Sequence, residues 1–312
     1  MKVSLIVTTL NEEKNILGLL NSLLALSVQP SEIVIVDGGS KDSTVQLIKS
    51  WQKKNKLKLL LLQKKGNRSV GRNLAISNAN NEWIAITDAG CLPQKDWLAQ
   101  LIKAAPGSEV VAGYYLGLST TSFQQAVIPY ALVMPERVDE NNFLPATRSM
   151  MIKKVVWKKV GGFDEKLSDN EDYAFAIQVK KAGFKINFAR KAVVSWIPRT
   201  NFLSFLNMIY RFAKGDTYAL IFRPKVLMIF VRYIFATIVI LGLAIKSLEM
   251  SLVFFWVGLI GYALWAIQKN YQFAKNGWYY LPLLQIGSDV TIMMGSLVGL
   301  IQRVNKTCYP TM

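Results

Sequence analysis

The sequence predicts an α/β protein: a mixed, mainly parallel sheet flanked by helices, followed by a transmembrane helical region. Three observations carry this expectation. Over the first hundred residues, short apolar runs bounded by turn residues alternate with segments of helical periodicity. Such alternation needs crossover connections and a parallel sheet covered on both faces. The chain is 52% hydrophobic yet carries 37 basic and 20 acidic side chains, so its apolar residues must be concentrated somewhere. Long apolar runs begin at Val226, whereas charges crowd the first 225 residues. The 312 residues therefore divide into a folded domain over 1–200, an amphipathic and basic juxtamembrane segment over 201–225, and an anchor over 226–312 with two to three transmembrane helices.

Taken in order, residues 3–8 read as a buried strand and 12–26 as a helix with apolar residues at helical spacing. Residues 33–37 form a second strand, ending in Gly38-Gly39-Ser40, and a helix runs through 45–51. A third strand covers 57–62, a helix follows near 70–78, and a fourth strand at 83–87 ends at Asp88. The apolar run 110–112 is expected to continue the sheet. Residues 114–200 are less regular, with a turn at Gly161-Gly162-Phe163-Asp164 and a helix opening at Asn170-Glu171-Asp172 and reaching Lys181. In open sheets of this kind, ligands sit outside the carboxyl ends of the strands. Thr8–Glu12, Asp37 and Asp88 are therefore expected to share one edge.

Composition narrows the chemistry. There is no histidine, so proton transfer falls to carboxylates. Cys91 and Cys308 are too few and too far apart for a disulfide framework or a thiolate metal site. A net charge of +17 invites a nucleic-acid reading, but no zinc spacing, RNA-recognition signature or basic tail accompanies it. Anionic lipid headgroups explain the excess better. Between 199 and 225, Arg199, Arg211, Lys214, Arg223 and Lys225 face a single acid, Asp216. The apolar stretch from Met1 to Val7 is too short for a secretory signal, so the first domain is expected to stay in the cytoplasm.

In 201–213, Phe202, Phe205, Leu206, Ile209 and Phe212 recur at helical spacing, which fits an interfacial helix on a membrane or a core-facing helix. Candidate spans cover 226–245, 251–267 and 281–301. Lys269 and Lys275 place the second loop in the cytoplasm, making the first two spans a hairpin. Arg303 and Lys306 then conflict with a third crossing, so the third span is either re-entrant or overrules the charge bias. Asp289 lies inside it, and Arg232 in the first span either pairs with it or snorkels.

At four places the sequence resembles a known family. Ser4-Leu5-Ile6-Val7-Thr8-Thr9-Leu10-Asn11-Glu12-Glu13, Ile33-Val34-Ile35-Val36-Asp37-Gly38-Gly39-Ser40-Lys41-Asp42-Ser43-Thr44, Gly71-Arg72-Asn73 and Ile84-Ala85-Ile86-Thr87-Asp88-Ala89-Gly90 are similar to motifs of the family-two glycosyltransferases of GT-A fold. The resemblance spans about residues 3–220. It implies a nucleotide-diphosphate sugar donor, a UDP-sugar being favoured, and transfer with inversion. It places Thr9, Asn11 and Glu12 along the nucleotide pocket and has Asp37 accept from the base; a turn-forming Asp37 is the alternative. Arg72 would reach the diphosphate or make a structural ion pair. Ser40 and Asp42 read better as helix caps.

Asp88 matches the first acid of the family's D-x-D motif, which usually holds a divalent cation, Mg or Mn, against the diphosphate. Here the motif reads Asp88-Ala89-Gly90, so the last acid is missing; a divalent cation is still implied, with weak or different metal dependence as the alternative. Asn170-Glu171-Asp172 is similar to the family's E-D signature; Asp172 becomes the general base and Glu171 its positioning partner, or both merely favour the helix N-terminus. Arg211 and Lys214 would meet the leaving diphosphate or lipid headgroups. The expected protein is thus an integral membrane enzyme, its catalytic domain facing the cytoplasm. It glycosylates a lipid-linked or membrane-proximal glycan acceptor in cell-envelope polysaccharide or glycolipid synthesis, alone or as an oligomer. A nucleotidyltransferase and a degenerate membrane scaffold are the competing expectations.

Overall fold

The computed structural model describes residues 1–308, with side chains up to residue 305. The side chains of Lys306 and Cys308, named above, lie outside the described residues. The chain forms two compact units: residues 1–118 with 134–197, and residues 119–133 with 198 onward.

The first unit opens with β1 (Val3–Thr9), α1 (Ile16–Leu24), β2 (Glu32–Asp37), α2 (Thr44–Lys54), β3 (Leu59–Gln63), α3 (Arg68–Asn78) and β4 (Trp83–Asp88). These strands stand in the order β3-β2-β1-β4, all parallel, as alternating strand and helix patterns require. Helix α1 starts four residues later than its periodicity suggests. The reason is local: Asn11–Glu13 is zipped to the loop after β2. Asn11 N donates to Ser40 Oγ at 2.8 Å, Glu12 N to Thr44 Oγ1 at 2.8 Å and Lys41 N to Asn11 Oδ1 at 2.9 Å. Those bonds hold residues 11–13 against that loop, with Asn11 in a left-handed backbone (φ 53°) outside any α-helix.

Beyond β4 come β5 (Cys91–Pro93), α4 (Trp97–Ala104) and β6 (Val110–Gly117). The chain then supplies α5 (Ser122–Ala131) to the second unit and returns as β7 (Met150–Lys153), α6 (Lys154–Lys159), α7 (Glu171–Lys181) and β8 (Ile186–Trp196). The expected continuation at 110–112 is present as β6, but it does not lie beside β4. The four-residue β7 inserts between them, antiparallel to both, and completes the order β3-β2-β1-β4-β7-β6-β8-β5. The sheet is therefore mixed, with a parallel N-terminal half.

A buried core holds this arrangement. Ile6, Val34, Val36, Ile84, Ile86, Met150 and Ile152 from the sheet pack with Ala75 and Ile76 of α3 and with Phe175 and Val179 of α7. Phe163, on the preceding turn, stacks on Phe175 with ring centroids 4.2 Å apart. Each fully buried Val, Ile, Met or Phe side chain here contributes about 1.5–3 kcal/mol of transfer free energy.

The second unit contains α5, α8 (Phe202–Tyr218), α9 (Pro224–Lys246), α10 (Leu248–Asn270) and α11 (Leu281–Cys308). Three helical stretches, Pro224–Lys246, Leu248–Phe273 and Lys275–Asn305, are long and apolar enough to cross a membrane. Helix α8 is amphipathic, as its spacing predicts, but part of its apolar face is covered by protein. Phe205, Met208 and Ile209 are buried, whereas Leu203 is exposed. The opposing surface on α11 is a line of glycines. A Cβ at Gly287 would meet the Phe202 ring at 2.9 Å, one at Gly295 would meet the Tyr210 carbonyl at 2.6 Å, and one at Gly299 would overlap the Lys214 carbonyl. Gly295 and Gly299 form a small-xxx-small pair that lets two helix backbones approach closely.

Between the apolar helices lies a polar knot. Asp289 of α11, only 2% exposed, accepts from Arg232 of α9 at 3.0 Å, from Gln285 at 3.0 Å, from Tyr233 at 3.3 Å and from the Tyr262 hydroxyl of α10. Arg232 therefore pairs with Asp289 rather than standing alone. Its guanidinium also lies 4.7 Å from the Tyr262 ring centroid.

Candidate active site

The parallel register brings the sequence-distant strand ends together: Thr9 pairs with Asp37 across β1–β2, and Thr8 with Asp88 across β1–β4. This is the carboxyl edge expected from the sequence. Thr9 is buried, and its hydroxyl oxygen has no hydrogen-bond partner among the described residues. Asn11 is exposed and Glu12 half-buried beside it. Asn11 adopts a left-handed backbone (φ 53°), a conformation asparagine tolerates better than most residues.

Asp37 is fully buried and organises its own turn. Oδ2 accepts from Gly39 N at 3.0 Å and Ser40 N at 2.9 Å, and Oδ1 accepts from Ser40 Oγ at 2.5 Å. A carboxylate offers about four lone-pair sites; this turn uses three. Asp42 similarly accepts from Thr44 N at 3.0 Å at the start of α2, in keeping with a capping role.

The Gly71-Arg72-Asn73 motif gains a physical explanation. Gly71 lets α3 press on β1, since a Cβ there would lie 2.8 Å from the Thr8 methyl. Asn73 pins the turn before α7: its Oδ1 accepts from Phe163 N and Trp157 Nε1, each at 2.9 Å, and its Nδ2 donates to the Phe163 carbonyl at 2.8 Å. Between them, Arg72 joins the two halves of the site. It donates to Asp88 at 2.9 Å, to Glu171 at 2.5 Å and to Thr147 at 2.8 Å, and its guanidinium carbon lies 5.5 Å from the Phe163 ring centroid. Arg72 is 1% exposed. The ion-pair alternative describes this geometry: Arg72 is the strut that ties the β4 end to the start of α7.

Asp172 is the next residue on α7, half-buried, and receives the Tyr173 N–H at 2.8 Å. Burial raises the Asp88 carboxyl, but Arg72, then Arg68 and Arg148, outweigh it and hold Asp88 below its usual range. Burial likewise raises Glu171, Arg72 opposes, and Asp172 adds to the rise. Cys91, buried near this edge, is pushed up to about 12 by burial and is inert as a nucleophile.

Arg211 and Lys214 sit on α8 in the second unit, Arg211 exposed and Lys214 half-buried. As for metal, no group of three His, Cys, Asp or Glu side chains converges among the described residues. The donor set at the β4 end is one carboxylate, and Arg72 already neutralises it. Ala89 and Gly90 add no ligand. These residues do not by themselves make a divalent-cation site.

Three residues of the site escaped the sequence reading: Thr147, Arg148 and Phe163 as a partner of Arg72. The signal that marks the first two is Thr147-Arg148-Ser149 directly before the apolar Met150-Met151-Ile152, a polar strand entry in an otherwise irregular region.

A parallel β3-β2-β1-β4 half-sheet ending in a carboxylate edge, with a second acid pair tied to it by a buried arginine, defines a nucleotide-sugar-dependent glycosyltransferase of GT-A architecture. The model of glycosyl transferase family 2 matches residues 4–159, half of the chain, and the chain belongs to that family. Among its relatives are the glycosyltransferase AglE of Haloferax volcanii, 24% identical over 69% of this chain and 72% of that protein, and the succinoglycan biosynthesis protein ExoA of Rhizobium meliloti, 25% identical over 68% of each. A dolichyl N-acetyl-alpha-D-glucosaminyl phosphate 3-beta-D-2,3-diacetamido-2,3-dideoxy-beta-D-glucuronosyltransferase of Methanococcus voltae is 26% identical over 68% of this chain and 73% of that one. Two solved structures share the fold. A mannosyltransferase of Pyrobaculum calidifontis, solved with GDP-Man and Mn2+, has a TM-score of 0.56 at 19% identity, covering 100% of this chain and 88% of that one. TarS 1–349 of S. aureus, solved with UDP-GlcNAc, has a TM-score of 0.52 at 24% identity, covering 68% of this chain and 66% of that one.

Proposed function

We propose that the protein transfers a sugar, with inversion, from a nucleotide-diphosphate sugar to a lipid-linked or membrane-proximal glycan acceptor at the cytoplasmic face of a membrane. The observation that carries this is the Arg72 strut, which binds Asp88 at the strand edge to Glu171 on the helix bearing Asp172. Donor-side and acceptor-side acids thereby belong to one rigid constellation, as a displacement between two substrates demands. The apolar helices of the second unit support a membrane-held acceptor, as do relatives that act on a dolichyl phosphate glycan and in succinoglycan synthesis. The solved neighbours with UDP-GlcNAc and GDP-Man support a nucleotide-sugar donor, UDP-sugar remaining the favoured class.

In this reading Thr9, Asn11 and Glu12 line the nucleotide, and Asp37 fixes the turn beneath it. The fourth acceptor site of Asp37 reaches the base once the turn opens. Asp172 takes the acceptor hydroxyl proton as that oxygen attacks the anomeric carbon. The bond from carbon to the diphosphate oxygen breaks on the opposite face, and the nucleoside diphosphate departs. Glu171, held by Arg72, positions the base. Arg211 and Lys214 are assigned to phosphate, of headgroups or of the donor. Family membership leaves this reading ahead of the nucleotidyltransferase and scaffold alternatives.

The test is nucleoside diphosphate release from a panel of sugar nucleotides with membrane lipid extract. Asp172→Asn should lower kcat by roughly 10²–10⁴-fold while leaving nucleotide affinity near the wild-type value. Release that is unchanged in Asp172→Asn removes Asp172 from the role of base.

A further inference from the structure

The family's second metal-holding acid is absent, and the remaining one is occupied by Arg72, so the charge of the departing diphosphate needs another partner. Arg148 lies beside the same strand end. The β4–β7 ladder ends at the pair Ile86–Met150, two residues from Arg148, which lies in the turn closed by the Ala146–Ser149 bridge. The Thr87 hydroxyl donates to the Arg148 carbonyl at 2.9 Å, which fixes the Arg148 backbone beside the β4 end.

The side chain is also held. Its guanidinium carbon lies 5.4 Å from the ring centroid of Tyr115 and 5.4 Å from that of Trp196. Stacking uses the faces of the guanidinium and leaves its in-plane N–H donors unspent. Those donors have no protein acceptor among the described residues, in contrast to Arg72, which has three. Arg148 is half-buried and so remains reachable. Against the cost of burial, Tyr115 and Cys91, then Asp172 and Asp88, favour its charged form.

We propose that Arg148 binds the diphosphate of the sugar nucleotide and stabilises it as the leaving group, in place of a cation held by a second acid. This rests on the glycosyltransferase reading of the edge and names the residue that handles the leaving charge. A planar, always-charged guanidinium can give two parallel hydrogen bonds to phosphate oxygens. Aligned in advance by two rings, it does so with little reorganisation.

Gly90 supplies the decisive control. A Cβ at Gly90 would meet nothing within 4 Å, so Gly90→Asp can restore the missing acid without a clash. The experiment uses the full-length protein in detergent and measures Kd for UMP and UDP, and for GMP and GDP, in EDTA and in Mn2+. The ratio of monophosphate to diphosphate Kd isolates the second phosphate from base binding and from general folding defects. In wild type this ratio should persist in EDTA. Arg148→Gln should reduce it by roughly ten- to hundred-fold, and Arg148→Lys by less. Gly90→Asp with Arg148→Gln should recover it in Mn2+ only. A ratio unchanged by Arg148→Gln, or a wild-type ratio that collapses in EDTA, overturns the proposal while leaving the donor site standing. A wild-type protein that binds none of these nucleotides overturns the donor-site reading and this inference with it.

Discussion

Arg72 and Arg148 come from the same residue type and flank the same aspartate, yet the structure gives them opposite tasks. Arg72 is sealed by two carboxylates and a threonine; taking one partner away from such a pair strands a buried charge at a cost of about 3–5 kcal/mol. The same pairing sets a pH dependence. Asp88 is held below the usual carboxylate range, so the stability it contributes is complete above about pH 4 and is lost as pH falls through its depressed value. Thermal unfolding should therefore show the largest gap between wild type and Asp88→Asn near pH 6, closing as pH falls towards 3. A gap that stays constant over that range would remove the Arg72–Asp88 pair as its cause. Asp37, Asp88, Glu171 and Asp172 were legible in sequence because each ends a strand or opens a helix, positions that the periodicity marks. Arg148 was not, because its neighbourhood is made by residues distant in sequence, Thr87, Tyr115 and Trp196.

Among the elements, the parallel half of the sheet follows directly from the alternation of strand and helix patterns. What the pattern does not reveal is the antiparallel insertion of β7, since four residues are too few to establish a period of two. Likewise, the apolar stripe of α8 reads first as membrane-facing, with a core-facing helix as the alternative. The glycine line on α11 decides for helix contact along Phe202–Thr217. Gly295→Ala or Gly299→Ala should lower stability in detergent by about 1–3 kcal/mol through overpacking. Gly261→Ala on α10, where a Cβ meets nothing within 4 Å, should be neutral or stabilising by about 0.5–1 kcal/mol. Equal effects at all three sites, measured by thermal melts, would rule out the close α8–α11 approach.

For the whole molecule, the sequence divides charge from apolar length clearly enough to predict an anchor. It offers the Arg232–Asp289 tie only as an alternative to snorkelling, and does not reveal the other contacts among the three helices. None of the apolar window of α9 is buried and 11% of that of α10, whereas 39% of that of α11 is buried, so α11 has the most protein cover of the three. The Asp289–Arg232 pair then works as a charge-neutral pin. Asp289→Leu alone should destabilise the helical unit by about 3–5 kcal/mol, and adding Arg232→Leu should restore most of the loss. A double-mutant cycle in micelles checks this; additive losses would show that the pair is incidental.

That pin also bears on how the chain is made. Arg232 is synthesised 57 residues before the aspartate that neutralises it. An unpaired arginine at mid-membrane costs about 2.5–3.5 kcal/mol on insertion scales. At roughly 5–20 residues per second, the wait lasts about 3–11 s. During that interval the first hydrophobic helix carries an uncompensated charge, which the arrival of the last helix neutralises.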